Sequence, residues 1–355
     1  MTKGPRARLL RALALVLGVA APLQGQERFQ RAREAAEAVR AVLGAPGLSV
    51  AVGLGDSLVW SAGFGLADVE NEVPARGNTV YRIASISKTF GATAVLQLVD
   101  RGLVGLDDPI TRYVPSFAHP VTLRQILTHT SGIRHYGRDR SNTMERFESL
   151  APAIEVFRRD PLEFEPGTDV RYSTYAFNLL AGVPETALGV GLEAYLREHV
   201  LEPAGLTQTH LEYAERIVPH RARGYVLEGG ELRNVEYADL SMKWLGGGMI
   251  SSAEDLVRYA VALARGQLVS PEALRLMNTP GALRDGTPIE YSLGWETSVD
   301  AGGRRHADKY GSGAGVSAYL LRVPEDGFTL ALLVNLGGRG NIRPFAQRIA
   351  EAVWE

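Results

Sequence analysis

Ser85 and Lys88 stand three residues apart in the run S-I-S-K. On an α-helix that spacing puts two side chains on one face with β-carbons about 5–6 Å apart, so an amine can reach a hydroxyl. An alcohol flanked by an amine is the raw material of acyl transfer, in which serine attacks a carbonyl carbon once its proton is removed. The chain has no cysteine, so thiol nucleophiles, disulfides and thiolate metal sites are excluded together. The nucleophile must be an oxygen or an amine.

Tyr81-Arg82-Ile83 reads as a strand and the segment after Ser87 as an apolar helix, so the spacing predicts a helix beginning at or just before Ser85. A helix N-terminus favours developing negative charge through its free N–H groups and its dipole. Lys88 then lies one turn inside a buried helix. Burial disfavours its ammonium and lowers its pKa toward a value useful for proton transfer. Serine still needs a base, and a phenol near two cations ionises more easily than its ordinary value near 10 allows. Tyr172, in V-R-Y-S-T-Y-A-F-N, is the candidate, and Lys309 in H-A-D-K-Y-G-S-G-A-G is the candidate second cation. Gly311 and Gly313 would let a strand edge approach a substrate closely. The N–H groups of Ser312 and Ser85 are then the expected oxyanion hole.

The elements that must position these residues come from both ends of the chain. Residues 27–43 read as an amphipathic helix, L-S-V-A-V-G-L and S-L-V-W-S-A-G-F-G-L as a hairpin through Gly55-Asp56, and G-V-S-A-Y-L-L-R-V-P and F-T-L-A-L-L-V-N as a second pair around Glu325-Asp326-Gly327. A helix follows from Ile342 to Trp354, and the middle is helical in pattern, at 121–127, 175–186, 192–199 and 253–265. The expected architecture is α+β: an antiparallel sheet formed by N- and C-terminal strands and flanked by helices, with a mainly helical inserted subdomain. One domain spans 26–355, its sheet part 27–84 and 285–355 and its helical part 85–284.

The first 25 residues carry four basic side chains, an apolar run from Ala12 to Ala21 and then small residues, the form of a signal peptide. Cleavage after Ala21 or after Gly25 fits equally, and export to the periplasm or medium is expected. The apolar run falls short of the roughly 20 residues a membrane helix needs, so no stable span is expected after cleavage. Lys plus Arg number 38 against 40 Asp plus Glu in 355 residues, a balance that gives nucleic acid no footprint. Seven histidines without an H-E-x-x-H pattern predict no metal. No cofactor motif occurs either; Gly246-Gly247-Gly248 lacks the lysine of a phosphate loop and reads as a close-packed loop near the cleft. His129, beside Ser131, reads as a structural turn residue, and no G-x-S-x-G elbow is present.

The order S-I-S-K, Y-S-T, K-Y-G resembles that of the serine β-lactamases and penicillin-binding proteins. The chain is most similar to the class C type, and within it to the mitochondrial serine β-lactamase-like branch and its bacterial relatives, from about Gly47 to Pro324. L-T-H-T-S-G-I-R-H-Y at 127–136, D-P-L-E-F-E-P-G-T at 160–168, K-W-L-G-G-G-M-I-S-S-A-E-D-L at 243–256 and Y-S-L-G-W-E at 291–296 carry the same resemblance. It implies that Ser85 is the acylated nucleophile, Lys88 its partner, Tyr172 the base and Lys309-Tyr310-Gly311 the strand-edge triad. Thr174 stands where the family often has an asparagine that contacts the substrate carbonyl. Tyr310 replaces a small residue and is expected to narrow the cleft. The implied activity is hydrolysis of an amide or ester through an acyl-enzyme, on a small peptide, ester or β-lactam. The implied alternatives are a β-lactamase, a D-Ala-D-Ala carboxypeptidase or esterase, and a non-catalytic relative that binds peptidoglycan or a protein partner.

Overall fold

The computed structural model describes residues 27–137, 143–300 and 302–354, so the leader expected at 1–25 lies outside the described residues. Residues 27–43 are helical, with Ala32, Ala36, Val39 and Leu43 buried at the three- and four-residue steps of one helix face. Two hairpins follow the turn signals of the sequence. β1 (Gly47–Leu54) pairs with β2 (Ser57–Asp68), while β11 (Val316–Val323) pairs with β12 (Phe328–Val334). Gly55 and Gly327 occupy their turns at φ 56° and 59°, a region that glycine enters without steric cost.

β1 also pairs with β12, from Leu48 opposite Val334 to Leu54 opposite Phe328, which joins the two ends of the chain. β3 (Val73–Pro74) extends one edge, and β10 (Arg305–Gly313) and β9 (Glu296–Val299) extend the other. The seven-stranded order is β3-β2-β1-β12-β11-β10-β9, and each pairing is antiparallel. Side chains alternate between its two faces. Val50, Val52, Leu330 and Leu332 pack with the terminal helices, while Ala51, Ala331 and Leu333 face the opposite layer.

That layer begins with the helix Ser87–Asp100, buried nearly all round. The helix Ala253–Ala264, expected in the helical part, packs instead on β1, β2 and β12. A Cβ on Gly53 would lie 2.8 Å from Val257 Cγ1, so the bare backbone of β1 admits it. The helix expected over 175–186 is two, Thr174–Leu179 and Gly182–Leu188. Pro184, in the first turn of the second, has no N–H with which to continue the first. A three-stranded sheet, of which the sequence signalled only the first strand, joins β4 (Val80–Arg82), β8 (Met249–Ser252) and β5 (His210–Leu211) in the order β4-β8-β5. Its first strand leads into Ser85. A separate hairpin pairs β6 (Tyr225–Glu228) with β7 (Glu231–Asn234).

Candidate active site

β4 ends at Arg82, and the Ile83 N–H donates to Met249 O at 3.0 Å. The chain then makes a 3₁₀ turn over Ala84–Ile86 before the α-helix starts at Ser87. Ser85 therefore sits in the tight turn ahead of the helix. Ala84 adopts φ 45°, which is uncommon for a residue with a side chain and persists only where neighbours enforce it. Ser87 Oγ enforces it by donating to Ala84 O at 2.7 Å. The strained residue leaves Ser85 partly exposed at the floor of a cleft of about 440 Å³, which Thr174, Lys243, Gly246 and Ser312 also line.

Lys88 is fully buried. Its Nζ lies 2.5 Å from Gly246 O, 3.1 Å from Thr174 Oγ1 and 3.3 Å from Ser85 Oγ. An ammonium donates to all three. A neutral amine has two N–H groups and one lone pair; it donates to Gly246 O and Thr174 Oγ1 and accepts from the Ser85 hydroxyl. Burial, then the cations of Lys309 and Lys243, hold Lys88 well below the ordinary lysine value, and Glu296 opposes them. The amine is therefore the group prepared to take a proton.

Tyr172 donates its hydroxyl to Ser85 Oγ at 2.5 Å. Its ring lies among His129, His135 and Tyr291. The sequence predicts a phenol made acidic by Lys88 and Lys309, and the structure gives the opposite direction. Burial raises the phenol's pKa, and the Glu296 carboxylate adds to this, against the lowering effect of the Ser85 hydrogen bond. Both lysines lie over the ring face, with Lys88 Nζ 4.6 Å and Lys309 Nζ 5.2 Å from its centroid. A cation there is attracted by the π system, and Lys309 is also paired with Glu296 at 3.0 Å. Tyr172 thus stands as a neutral donor rather than as a ready phenolate.

Lys309 is buried in β10, and Gly311 follows it on the same face. A Cβ on Gly311 would lie 2.3 Å from Ile83 O, so only a bare backbone lets this strand close against the Ser85 turn. Gly311→Val is expected to push β10 away and to lower kcat/KM by about 10²-fold, the usual cost of a 1 Å misplacement. An unchanged rate with a melting temperature like that of the parent would contradict this. Ser312 lines the cleft beside Ser85. Tyr310, expected to narrow that cleft, does not, because strand alternation sends it to the other face. There it packs on the core of the terminal helices and donates to Gly340 O.

The domain model described as "Beta-lactamase" matches residues 33–353. The chain belongs to the beta-lactamase family. Human serine beta-lactamase-like protein LACTB, mitochondrial, is 29% identical over 396 aligned positions, covering 84% of this chain and 72% of that protein. The octameric penicillin-binding protein homologue from Pyrococcus abyssi superposes with a TM-score of 0.77 at 27% identity, covering 89% of this chain and 75% of that one. D-amino acid amidase from Ochrobactrum anthropi SV3 superposes with a TM-score of 0.80 at 24% identity, over 92% and 98%, which is a likeness of fold.

Within this beta-lactamase-family cleft, further residues hold the three central groups in place. Thr174 is buried at the start of its helix, accepts from Lys88, and gives its N–H to His135 Nδ1 at 3.1 Å. Burial, then Lys88 and Lys243, lower His135 to about 4, so it accepts that bond as a neutral ring at pH 7. His129 has φ 59° and accepts from Ser173 N at 3.2 Å, a turn residue whose ring lies against Tyr172 in a tilted contact with centroids 4.4 Å apart. Lys243 lies over the Tyr136 ring at 4.8 Å, and burial, then Arg82, bring it down to about 8. Gly246 contributes only a carbonyl, which residue type cannot reveal. Glu296 and Tyr291 were visible only as part of the quoted Y-S-L-G-W-E run. Among the described residues no three His, Asp or Glu side chains converge as metal ligands would. No described helix is long and apolar enough to cross a membrane.

Proposed function

We propose that this chain is an exported serine hydrolase that forms an acyl-enzyme at Ser85 on amide or ester bonds, with peptides as its main substrates. One observation carries the reading. Ser85 Oγ lies between the Tyr172 hydroxyl at 2.5 Å and the Lys88 amine at 3.3 Å, one group holding a proton and the other prepared to receive one. In acylation the neutral amine of Lys88 takes the Ser85 proton while Oγ bonds to the carbonyl carbon. The carbonyl π electrons move onto oxygen, which the N–H groups of Ser85 and Ser312 receive. The Lys88 ammonium then returns its proton through the Tyr172 hydroxyl to the departing nitrogen or oxygen as that bond breaks. In deacylation water gives one proton to Lys88 as its oxygen bonds to the acyl carbon, the C–Oγ bond then breaks, Lys88 returns the proton to Ser85 Oγ, and the acid product leaves. The signal-like residues 1–25 support export.

Lys309 enters this scheme through charge. It is the leading cation that lowers Lys88, so Lys309→Met raises the Lys88 pKa, and Glu296, then left with Arg343 at 3.4 Å as its partner, continues to raise it. The acid limb of the kcat/KM profile is expected to move to higher pH. A limb that stays in place or moves the other way would remove Lys88 as the titrating base. The reading itself is tested by profiling purified protein on p-nitrophenyl esters, internal peptide amides, D-Ala-D-Ala peptides and nitrocefin. Turnover of esters and at least one peptide class is expected; binding without turnover of any class would favour a non-catalytic relative.

A further inference from the structure

A second chamber of about 470 Å³ adjoins the Ser85 cleft and shares Arg82, Asn234, Val235, Glu236, Ala314, Gly315 and Val316 with it. Three arginines line this chamber. Arg82 is held by Glu212 at 2.8 Å, and Arg223 is held by Glu70 and Asp68. Arg221 differs: its Nε and Nη2 are buried and have no hydrogen-bond partner, and it makes no ion pair among the described residues. Buried charged donors are normally satisfied, and a guanidinium matches a carboxylate with two parallel bonds.

The position of Arg221 relative to Ser85 is set by β4. Val80 N–H donates to His220 O at 2.9 Å, and Ala222 N–H donates to Val80 O at 2.8 Å. The segment bearing Arg221 is thereby fastened beside the strand that runs into the Ser85 turn. Ser85 lies five positions after Val80, at most about 16–18 Å of extended chain. The 3₁₀ turn at Ala84–Ile86 shortens that reach, so a peptide reacting at Ser85 would cover it within about five residues. Glu236 also lines both chambers and adds a negative charge that a bound acid must approach.

We propose that Arg221 forms an anionic-recognition subsite, so that the substrate is an extended peptide carrying a carboxylate within about five residues of the scissile bond. The assignment deepens, and rests on, the reading of Ser85 as the acylated residue, but its test does not need catalysis. Calorimetry on the full chain carrying Ser85→Ala measures binding of acetylated, amidated decapeptides with glutamate or glutamine placed four residues before or after the central bond. In one of the two series the glutamate peptide is expected to bind at least about tenfold tighter at low salt. Adding Arg221→Gln should equalise the pair, while Arg221→Lys should keep part of the preference. Equal binding of glutamate and glutamine peptides in both series, or a preference that survives Arg221→Gln, overturns the proposal. Separately, failure of the protein without these substitutions to hydrolyse any ester or peptide, with the glutamate preference intact, would overturn the reading of Ser85 and leave the subsite standing.

Discussion

Lys88→Met is expected to lower kcat/KM by about 10³–10⁴-fold, toward the upper end of what a positioned base contributes. The substitution keeps an unbranched apolar stem in a fully buried slot and removes the lone pair that faces Ser85 Oγ. The same change is expected to alter stability in a pH-dependent way. An unfolded lysine keeps its proton up to about its ordinary value of 10.5, whereas burial makes the folded one release it at lower pH. Between those two points the unfolded chain binds more protons, so stability rises with pH by up to about 1.4 kcal/mol per unit. The parent should therefore gain on Lys88→Met as pH increases toward 10.5 and stop gaining above it. Denaturant titrations at several pH values check the sign. A difference that does not vary with pH would mean Lys88 is charged in the folded protein.

Tyr172→Phe should cost about 10²–10⁴-fold in turnover while leaving the melting temperature close to that of the parent. The ring still fills the space among His129, His135 and Tyr291, so packing is preserved. What disappears is the hydroxyl that donates to Ser85 Oγ and, in the proposed scheme, passes the proton to the leaving group. The loss should be larger for an amide than for a p-nitrophenyl ester, because p-nitrophenolate departs without being protonated and an amide nitrogen does not. Equal losses on both substrates would assign Tyr172 to orienting Ser85 rather than to proton delivery. A full rate on both would leave it with packing alone.

The two terminal hairpins were legible because alternation and turn residues both mark them. Val50, Ala51 and Val52 alternate across the sheet, and Gly55 and Gly327 take the positive φ their turns require. β5 and β8 were not legible, since strands of two and four residues give alternation too little length to show. In the cleft, the sequence proposed Ser85, Lys88, Tyr172, Thr174 and Lys309, and the fold brings their side chains into one neighbourhood. It did not propose Glu296, whose pairing with Lys309 depends on the β9–β10 register. Nor could it propose the Gly246 carbonyl, since any residue supplies one. The misreading of Tyr310 had a local remedy: if Lys309 faces the cleft, the next residue on a strand faces away. The direction of the Tyr172 shift was not readable from charge alone, because burial and the position of each cation over the ring decide it.

Mass mapping of a trapped covalent adduct tests most directly the claim that a buried neutral amine arms Ser85. The protein is incubated with a fluorophosphonate or a slowly released β-lactam, quenched in acid, digested and analysed peptide by peptide. The account predicts one added mass on the peptide containing Ser85, forming faster as pH rises through the Lys88 titration, and no adduct in Ser85→Ala. An adduct on any other residue, or labelling that survives Ser85→Ala, would contradict it.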